Sequence, residues 1–132
     1  MAQKRAVTIQ DISCFGKCSL TVALPIISAA GIEIAAIPTA VLSTHTGGFT
    51  GFTYRDLTDD ISPIAAHWKS LGLTFDAIYT GYLGSFEQLR LMGEFFDAAS
   101  AYFKAPRERP KMPEIIELYR EAQIALVLFT VD

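Results

Sequence analysis

Four apolar runs of strand length alternate with helix patterns along the chain, and this order limits the fold more than any other feature of the sequence. The runs lie at residues 6–10, 32–42, 75–80 and 124–131. The helix patterns lie at residues 19–30, 62–72 and 85–103, with a shorter one beginning at Pro113. Strands that alternate with helices favour an α/β domain with a parallel sheet and right-handed crossovers.

Capping signals predict where two of the helices begin. Ser62 is followed by Pro63, and a hydroxyl residue before a proline is typical of a helix start. Ser85 and Gln88 have the spacing of a capping box, in which each side chain accepts a hydrogen bond from the other residue's backbone N–H. We therefore expect helices to start at these two points.

Other residues predict how the helices end and which faces they bury. Gly31 and Gly72 follow apolar helical patterns and predict C-terminal caps. Pro25 lies inside the first pattern, where it predicts a kink or a restart of the helix. Three- and four-residue steps predict the inward faces of the later helices. These inward residues are Ile64, Trp68, Leu71, Phe86, Leu89, Met92, Phe96, Ala99 and Phe103.

Composition restricts the kind of protein. The chain has 132 residues, of which 51% are hydrophobic and 19% charged, as expected for one globular domain. A net charge of -3 argues against nucleic-acid binding, which requires a basic face. No apolar run has the length of a membrane span or the features of a signal peptide. Cys14 and Cys18 are the only cysteines, and their spacing favours free thiols in a cytoplasmic protein.

Loops rich in Gly, Ser, Thr or Tyr follow the first three predicted strands. They span residues 11–18, 43–54 and 80–85. The loop at 43–54 alone holds four threonines and three glycines. Carboxyl ends of parallel strands meet at one edge of a sheet, where such sheets bind ligands. The three loops together predict a small-molecule site.

Four residues in these loops are candidates for ligand contact, and three of them also have a structural alternative. Asp11 is predicted to end the first strand, where it would bind a polar ligand or a cation, or cap the turn through Ser13. His45 fits a general base, a ring-stacking partner or a structural hydrogen bonder. The Thr46 hydroxyl suits a ring nitrogen or a hydroxyl. Tyr82 would stack on an aromatic ring or cover the core.

Three segments resemble one enzyme family. Residues 11–20, 42–47 and 80–88 contain Asp-Ile-Ser-Cys-Phe-Gly-Lys-Cys-Ser-Leu, Leu-Ser-Thr-His-Thr-Gly and Thr-Gly-Tyr-Leu-Gly-Ser-Phe-Glu-Gln. Together they resemble the N-terminal half of pyridoxal and pyridoxamine kinases, in the ribokinase-like superfamily. The resemblance covers roughly residues 5–104. It implies a three-layer α/β/α fold, truncated here, with residues 1–132 as a single partial domain.

The resemblance also implies a function. The family uses ATP and a divalent cation, Mg²⁺, to phosphorylate the 5′-hydroxymethyl group of vitamin B6 compounds in the salvage of pyridoxal phosphate. Family members are expected to be homodimers. Hydroxymethylpyrimidine kinases belong to the same superfamily, so a pyrimidine substrate stays open. The substrate-binding positions implied here are Asp11, or Ser13 in another register, with His45, Thr46, Gly47 and Tyr82.

The sequence departs from the family at its C-terminal side. The family's catalytic base is the Asp of a Gly-x-Gly-Asp motif, and that motif is absent here. Asp132 matches a nucleotide-facing Asp of the family, while residues 105–123 match poorly. We therefore expect a truncated kinase that is inactive alone. The alternative is a non-catalytic remnant that binds a small molecule or dimerises.

Overall fold

The computed structural model describes residues 3–81, 83, 85–99 and 128–130. Five strands and three helices lie in this part of the chain. In order they are β1 (Arg5–Phe15), α1 (Leu20–Ala29), β2 (Glu33–Thr44), β3 (Tyr54–Asp56), α2 (Thr58–Ser70), β4 (Ala77–Thr80), α3 (Phe86–Ala99) and β5 (Leu128–Thr130). The loop and short helix predicted within residues 100–127 lie outside the described residues.

The strands form one sheet in the order β3-β2-β1-β4-β5. The central strands β2, β1 and β4 are parallel, which confirms the predicted α/β class. The two edge strands, of which β3 was not predicted, are antiparallel to their neighbours, so the sheet is mixed. For β3 the cause is the connection. Residues 45–53 are too few for the crossover that a parallel strand requires, so the chain turns back on β2.

Helices cover both faces of the sheet. Val7 and Ile9 of β1 pack with Ile61 of α2 and Met92 of α3 on one face. Helix α1 lies on the other face and contacts β1 and β2. The larger core lies between the sheet and the α2/α3 layer. Its buried members are Val7, Ile9, Ile37, Ile61, Phe75, Ile78, Leu83 and Met92.

A β-bulge interrupts the pairing of the two longest strands. Gln10 pairs with Pro38 and Ile12 pairs with Val41, so two residues of β2 stand opposite the single residue Asp11. Pairing then continues to the end of both strands. β1 therefore extends to Phe15 rather than to Gln10. Asp11 lies inside β1, and the prediction that it ends the strand was wrong.

Helix α2 begins at Thr58, four residues before the predicted start at Ser62. The Asp56 carboxylate accepts the Thr58 N–H at 2.6 Å, and the Gln88 side chain donates to the Thr58 hydroxyl at 3.1 Å. These contacts fix the earlier start. Pro63 consequently lies in the second turn, where its missing N–H leaves one helical hydrogen bond unmade.

The predicted helix ends agree with the structure. Gly31 and Gly72 have φ of 82° and 68°, and each donates its N–H to the carbonyl three residues earlier. The following residues, Ile32 and Leu73, donate to carbonyls five residues back, which completes a Schellman motif at both helices. Helix α1 continues through Pro25.

The predicted capping box of α3 is half formed. Gln88 donates its N–H to Ser85 Oγ at 3.1 Å, as expected. The Gln88 side chain, however, is buried and donates to the Thr39 carbonyl at 2.9 Å as well as to the Thr58 hydroxyl. It joins α3 to β2 and α2 instead of returning to its own helix start.

Most inward positions that the structure describes are confirmed, and two were wrong. Ile64 and Trp68 pack against the core and Met92 is buried. Leu71 and Phe86 are exposed. Leu71 is the cap residue directly after the last residue of α2, and Phe86 is the first residue of α3, so both lie at helix ends. The side chains of Leu89, Phe96, Ala99 and Phe103 lie outside the described part.

Candidate functional site at the carboxyl edge of the sheet

A buried carboxylate lies near the carboxyl end of β1. Asp11 is 5% exposed. Ser13 Oγ donates to Asp11 Oδ2 at 3.1 Å, and Ser19 Oγ donates to Asp11 Oδ1 at 2.6 Å. A buried charge is tolerated when such hydrogen bonds stabilise it. Asp11 is thus held by two hydroxyls, one from its own strand and one from the start of α1.

The turn between β1 and α1 is strained. Ser19 has φ of 55° and Lys17 has φ of 29°, in the region that favours glycine. A left-handed residue with a side chain costs about 1–2 kcal/mol. Ser19 occupies the N-cap position of α1, yet its side chain does not cap the helix. The hydroxyl that would ordinarily cap is directed to Asp11 instead.

The imidazole of His45 is half-buried and lies between two loops. Gly47 donates its N–H to His45 Nδ1 at 3.1 Å. A Cβ added at Gly16 would lie 2.1 Å from His45 Cδ2, so the ring rests directly on the Gly16 backbone. The ring also meets Phe49 edge-on, with centroids 4.9 Å apart. His45 N–H donates to the Phe15 carbonyl at 3.1 Å, which ties the backbone to the same turn.

The threonine-rich loop is closed at its base. Thr53 N–H donates to Ser43 Oγ at 2.8 Å, and Ser43 N–H donates to the Thr53 carbonyl at 3.2 Å. Thr46 and Gly47 are exposed beyond this closure. A fixed base with exposed hydroxyls is suited to holding a polar ligand.

The third loop begins next to β1. Gly81 donates its N–H to the Ile9 carbonyl at 3.1 Å. A Cβ at Gly81 would lie 2.6 Å from the Gln10 side chain, so any larger residue here would require Gln10 to move. Tyr82 and Asp132, two of the predicted contact residues, lie outside the described residues.

The structure therefore brings Asp11 and Ser13 together, and it places His45, Thr46 and Gly47 on the neighbouring strand end. Three further contributors were not among the predicted site residues. They are Gly16, Ser19 and Phe49. The sequence offered one signal for them, since Ser19 is a hydroxyl residue at a predicted helix start. The contacts of Gly16 and Phe49 with His45 depend on the three-dimensional path of the loops.

An apolar groove of about 660 Å³ runs beside α1 on the sheet face opposite the main core. Val22, Ala23, Ile26 and Ile27 of α1 line one side, and Ala77 and Tyr79 of β4 line the other. Lys17, Cys18 and Ser19 line it as well, so the groove also contacts the turn that holds Asp11.

Within the described residues, no three His, Cys, Asp or Glu side chains are grouped as metal ligands would be. None of the helices described there has the length and hydropathy needed to cross a bilayer. Cys14 and Cys18 are exposed free thiols, as their spacing predicted.

Solved structures of kinases share this fold. A provisionally named phosphomethylpyrimidine kinase from Bacteroides thetaiotaomicron, crystallised with pyridoxal, is 46% identical with a TM-score of 0.70, over 73% of this chain and 33% of that one. Pyridoxal kinase from Lactobacillus plantarum is 32% identical with a TM-score of 0.68, and the match covers 73% of this chain and 34% of that one. Pyridoxal kinase from Leishmania donovani, in complex with ADP and pyridoxamine, shares the fold at 17% identity with a TM-score of 0.70. The match covers 76% of this chain and 36% of that one.

The fold class is the ribokinase-like α/β architecture. The chain corresponds to the N-terminal part of pyridoxal kinases and of the phosphomethylpyrimidine kinase, and it spans about a third of their length. No protein-family model matches the chain, and no curated protein is similar to it at the significance required.

Proposed function

We propose that this chain supplies the substrate-binding part of a pyridoxal kinase. The complete enzyme would transfer the γ-phosphoryl group of ATP to the 5′-hydroxymethyl group of pyridoxal, pyridoxamine or pyridoxine. The observation that carries the proposal is the 46% identity to a protein crystallised with pyridoxal. The grouping of polar residues at the carboxyl edge of the sheet supports it, since α/β sheets bind ligands there.

The chemistry of the edge suits a polar heteroaromatic alcohol. The buried Asp11 carboxylate and its Ser13 partner would face the ring nitrogen or ring hydroxyl. The exposed Thr46 hydroxyl and the Gly47 backbone would contact the ring from the neighbouring loop. Tyr82 would form a wall of the pocket, as the resemblance implies. A ligand of this kind has both an aromatic face and several hydrogen-bonding groups, which this set matches.

Turnover would need a catalytic base in addition to the substrate pocket. In-line transfer requires a carboxylate to accept the hydroxyl proton as the substrate oxygen bonds to phosphorus and ADP leaves. The family places that carboxylate in a Gly-x-Gly-Asp motif, which is absent here. We infer that ATP and Mg²⁺ are co-substrate and cation of the complete enzyme, with Asp132 near the nucleotide. We also infer that the enzyme is a cytoplasmic homodimer.

Calorimetric titration of the full 132-residue chain with pyridoxine tests the pocket. Pyridoxine has no aldehyde, so it forms no imine with lysine and reports the non-covalent site. Thr46→Val keeps the side-chain shape and removes one hydroxyl, so affinity falls about two- to twelvefold. Thr50→Val, in the same exposed loop, serves as the matched control and leaves affinity unchanged. Equal effects of both substitutions would contradict the assignment of Thr46.

A hydroxymethylpyrimidine is the second candidate substrate, because the relative with 46% identity carries the name of a phosphomethylpyrimidine kinase. Competition between pyridoxine and 4-amino-5-hydroxymethyl-2-methylpyrimidine decides between the two. A coupled assay with ATP and Mg²⁺ should detect no product from either compound with this chain alone. Measurable turnover would show that the base lies within these residues.

A further inference from the structure

We propose that His45 is a positioning residue, which holds the ligand-binding loop through Nδ1 and does not itself contact the ligand. The inference rests on the proposed function for the identity of the ligand. Its structural basis is independent of that function, because it comes from the contacts of the imidazole ring.

The hydrogen bond from Gly47 determines the chemical form of the ring. A backbone N–H can only donate, so Nδ1 must accept and carries no proton in this arrangement. The ring nitrogen and the amide two residues later close a turn around Thr46. Asn and Asp side chains make the same closure to the amide two residues on in an Asx-turn. His45 therefore makes the hydrogen bond that an asparagine side chain makes in an Asx-turn, with Nδ1 in place of the amide oxygen.

The other edge of the ring is also occupied. An added Cβ at Gly16 would lie 2.8 Å from His45 Nε2 and 2.1 Å from Cδ2. The Nε2 edge thus faces the β1–α1 turn, and Phe49 packs against the ring at an interplanar angle of 87°. All three contacts are with the protein, which leaves the ring poorly placed to act as a general base on a ligand.

The contacts of His45 connect two parts of the candidate site, the β1–α1 turn that holds Asp11 and the loop that contains Thr46. Gly16 belongs to the turn whose last residue, Ser19, donates to Asp11. Thr46 lies between His45 and Gly47, inside the closed turn. The imidazole therefore sets the placement of the Thr46 loop relative to the turn that holds Asp11.

Two isosteric substitutions separate this role from direct ligand contact. In His45→Asn the amide oxygen takes the place of Nδ1, so the bond from Gly47 is kept. In His45→Gln the amide lies near the place of Nε2, so that bond is lost while a ligand contact through Nε2 would be kept. His67→Gln, at the other histidine and exposed on α2, is the control and leaves binding unchanged.

The experiment measures pyridoxine affinity and the Gly47 amide resonance of the full chain. We expect His45→Asn to bind within about threefold of the wild type, and His45→Gln to lose about three- to twelvefold. The Gly47 amide should keep its downfield shift and slow hydrogen exchange in His45→Asn and lose both in His45→Gln. Retention of affinity by His45→Gln, or equal loss in both variants, would overturn the proposal.

The amide resonance also separates the two proposals. If the wild type binds no pyridoxine while Gly47 responds as expected, the proposed function fails and the positioning role stands. If pyridoxine binds normally while the Gly47 resonance is the same in all variants, the positioning role fails and the proposed function stands.

Discussion

Ser19 donates its hydroxyl to the Asp11 carboxylate at 2.6 Å while its own backbone has φ of 55°. The two facts oppose each other in energy. A hydrogen bond to a charged group contributes about 1.5–3 kcal/mol, and the left-handed backbone costs about 1–2 kcal/mol. The two free energies are of similar size, so the bond offsets the strain at a position where the backbone alone would favour glycine.

Substitutions at Ser19 should separate these two terms. Ser19→Ala loses the hydrogen bond and keeps the strain, so the free energy of unfolding falls by about 1.5–3 kcal/mol. Ser19→Gly loses the bond but relieves the backbone, so it should be about 1–2 kcal/mol more stable than Ser19→Ala. Urea unfolding measures both. Ser28 is exposed within α1, and there Ser28→Ala should be more stable than Ser28→Gly, because glycine destabilises a helix relative to alanine.

Gly16→Ala should displace the imidazole of His45. The new Cβ would lie 2.1 Å from Cδ2, and the backbone has φ of 96°. Gly48→Ala is the matched control, since Gly48 has φ of 81° and no atom within 4 Å of an added Cβ. Both variants place an alanine at positive φ and are destabilised by the backbone strain. Only Gly16→Ala also brings the new Cβ against the His45 ring. We expect it to lose about 1–3 kcal/mol more in urea unfolding than Gly48→Ala. Equal losses would mean that the ring moves aside freely.

Gln88→Met should destabilise the chain although it keeps the side-chain size. It removes the donors to the Thr39 carbonyl and the Thr58 hydroxyl in a fully buried position. The expected loss is about 1–3 kcal/mol in the free energy of unfolding. Arg90→Met, on the exposed side of α3, removes ion pairs with Glu87 and Glu94 and should cost much less. A larger effect at Arg90 would contradict the role given to Gln88.

Asp56 should make the free energy of unfolding depend on pH. Hydrogen bonds from the Thr58 hydroxyl, and then from the Thr58 N–H, lower the pKa of Asp56 below its ordinary value of 3.8. The ionised form is thus favoured in the folded state. Its contribution is fully present above the unfolded-state pKa and is lost as the pH falls through the lower folded-state pKa.

Asp56→Asn should therefore be less stable than the wild type at neutral pH, by less than about 1 kcal/mol because the group is exposed. The difference should shrink in acid. Chemical unfolding at several pH values from about 2 to 7 measures it. Tyr54→Phe removes the weakest of the three donors to Asp56, at 3.4 Å, and should leave the pH dependence nearly unchanged. A constant difference across this range would contradict the assignment.

Local sequence signals predicted the elements that local contacts determine. Gly31 and Gly72 end their helices where expected, because a Schellman motif involves only a few neighbouring residues. The start of α2 was misplaced in part because Gln88, distant in sequence, contacts Thr58 in addition to the nearby Asp56. The pairing of Ser13 with Asp11 follows from their positions two residues apart on one strand. The close approach of the His45 ring to Gly16 involves two separate loops and has no local signal in the sequence.

The β-bulge at Thr39 and Ala40, called the step below, has a consequence for protein engineering. The buried residues of β2 are Ile37 and Thr39 before the step and Ala40 and Leu42 after it, so the strand changes phase within its length. Deleting one of these two residues would restore regular alternation and keep Leu42 opposite Ser13 on its present face. A regular strand of unchanged length would instead place every side chain after the bulge on the opposite face. Grafting the loop that follows β2 into another scaffold would therefore require transfer of the phase change with it, as one cassette from residue 39 onward.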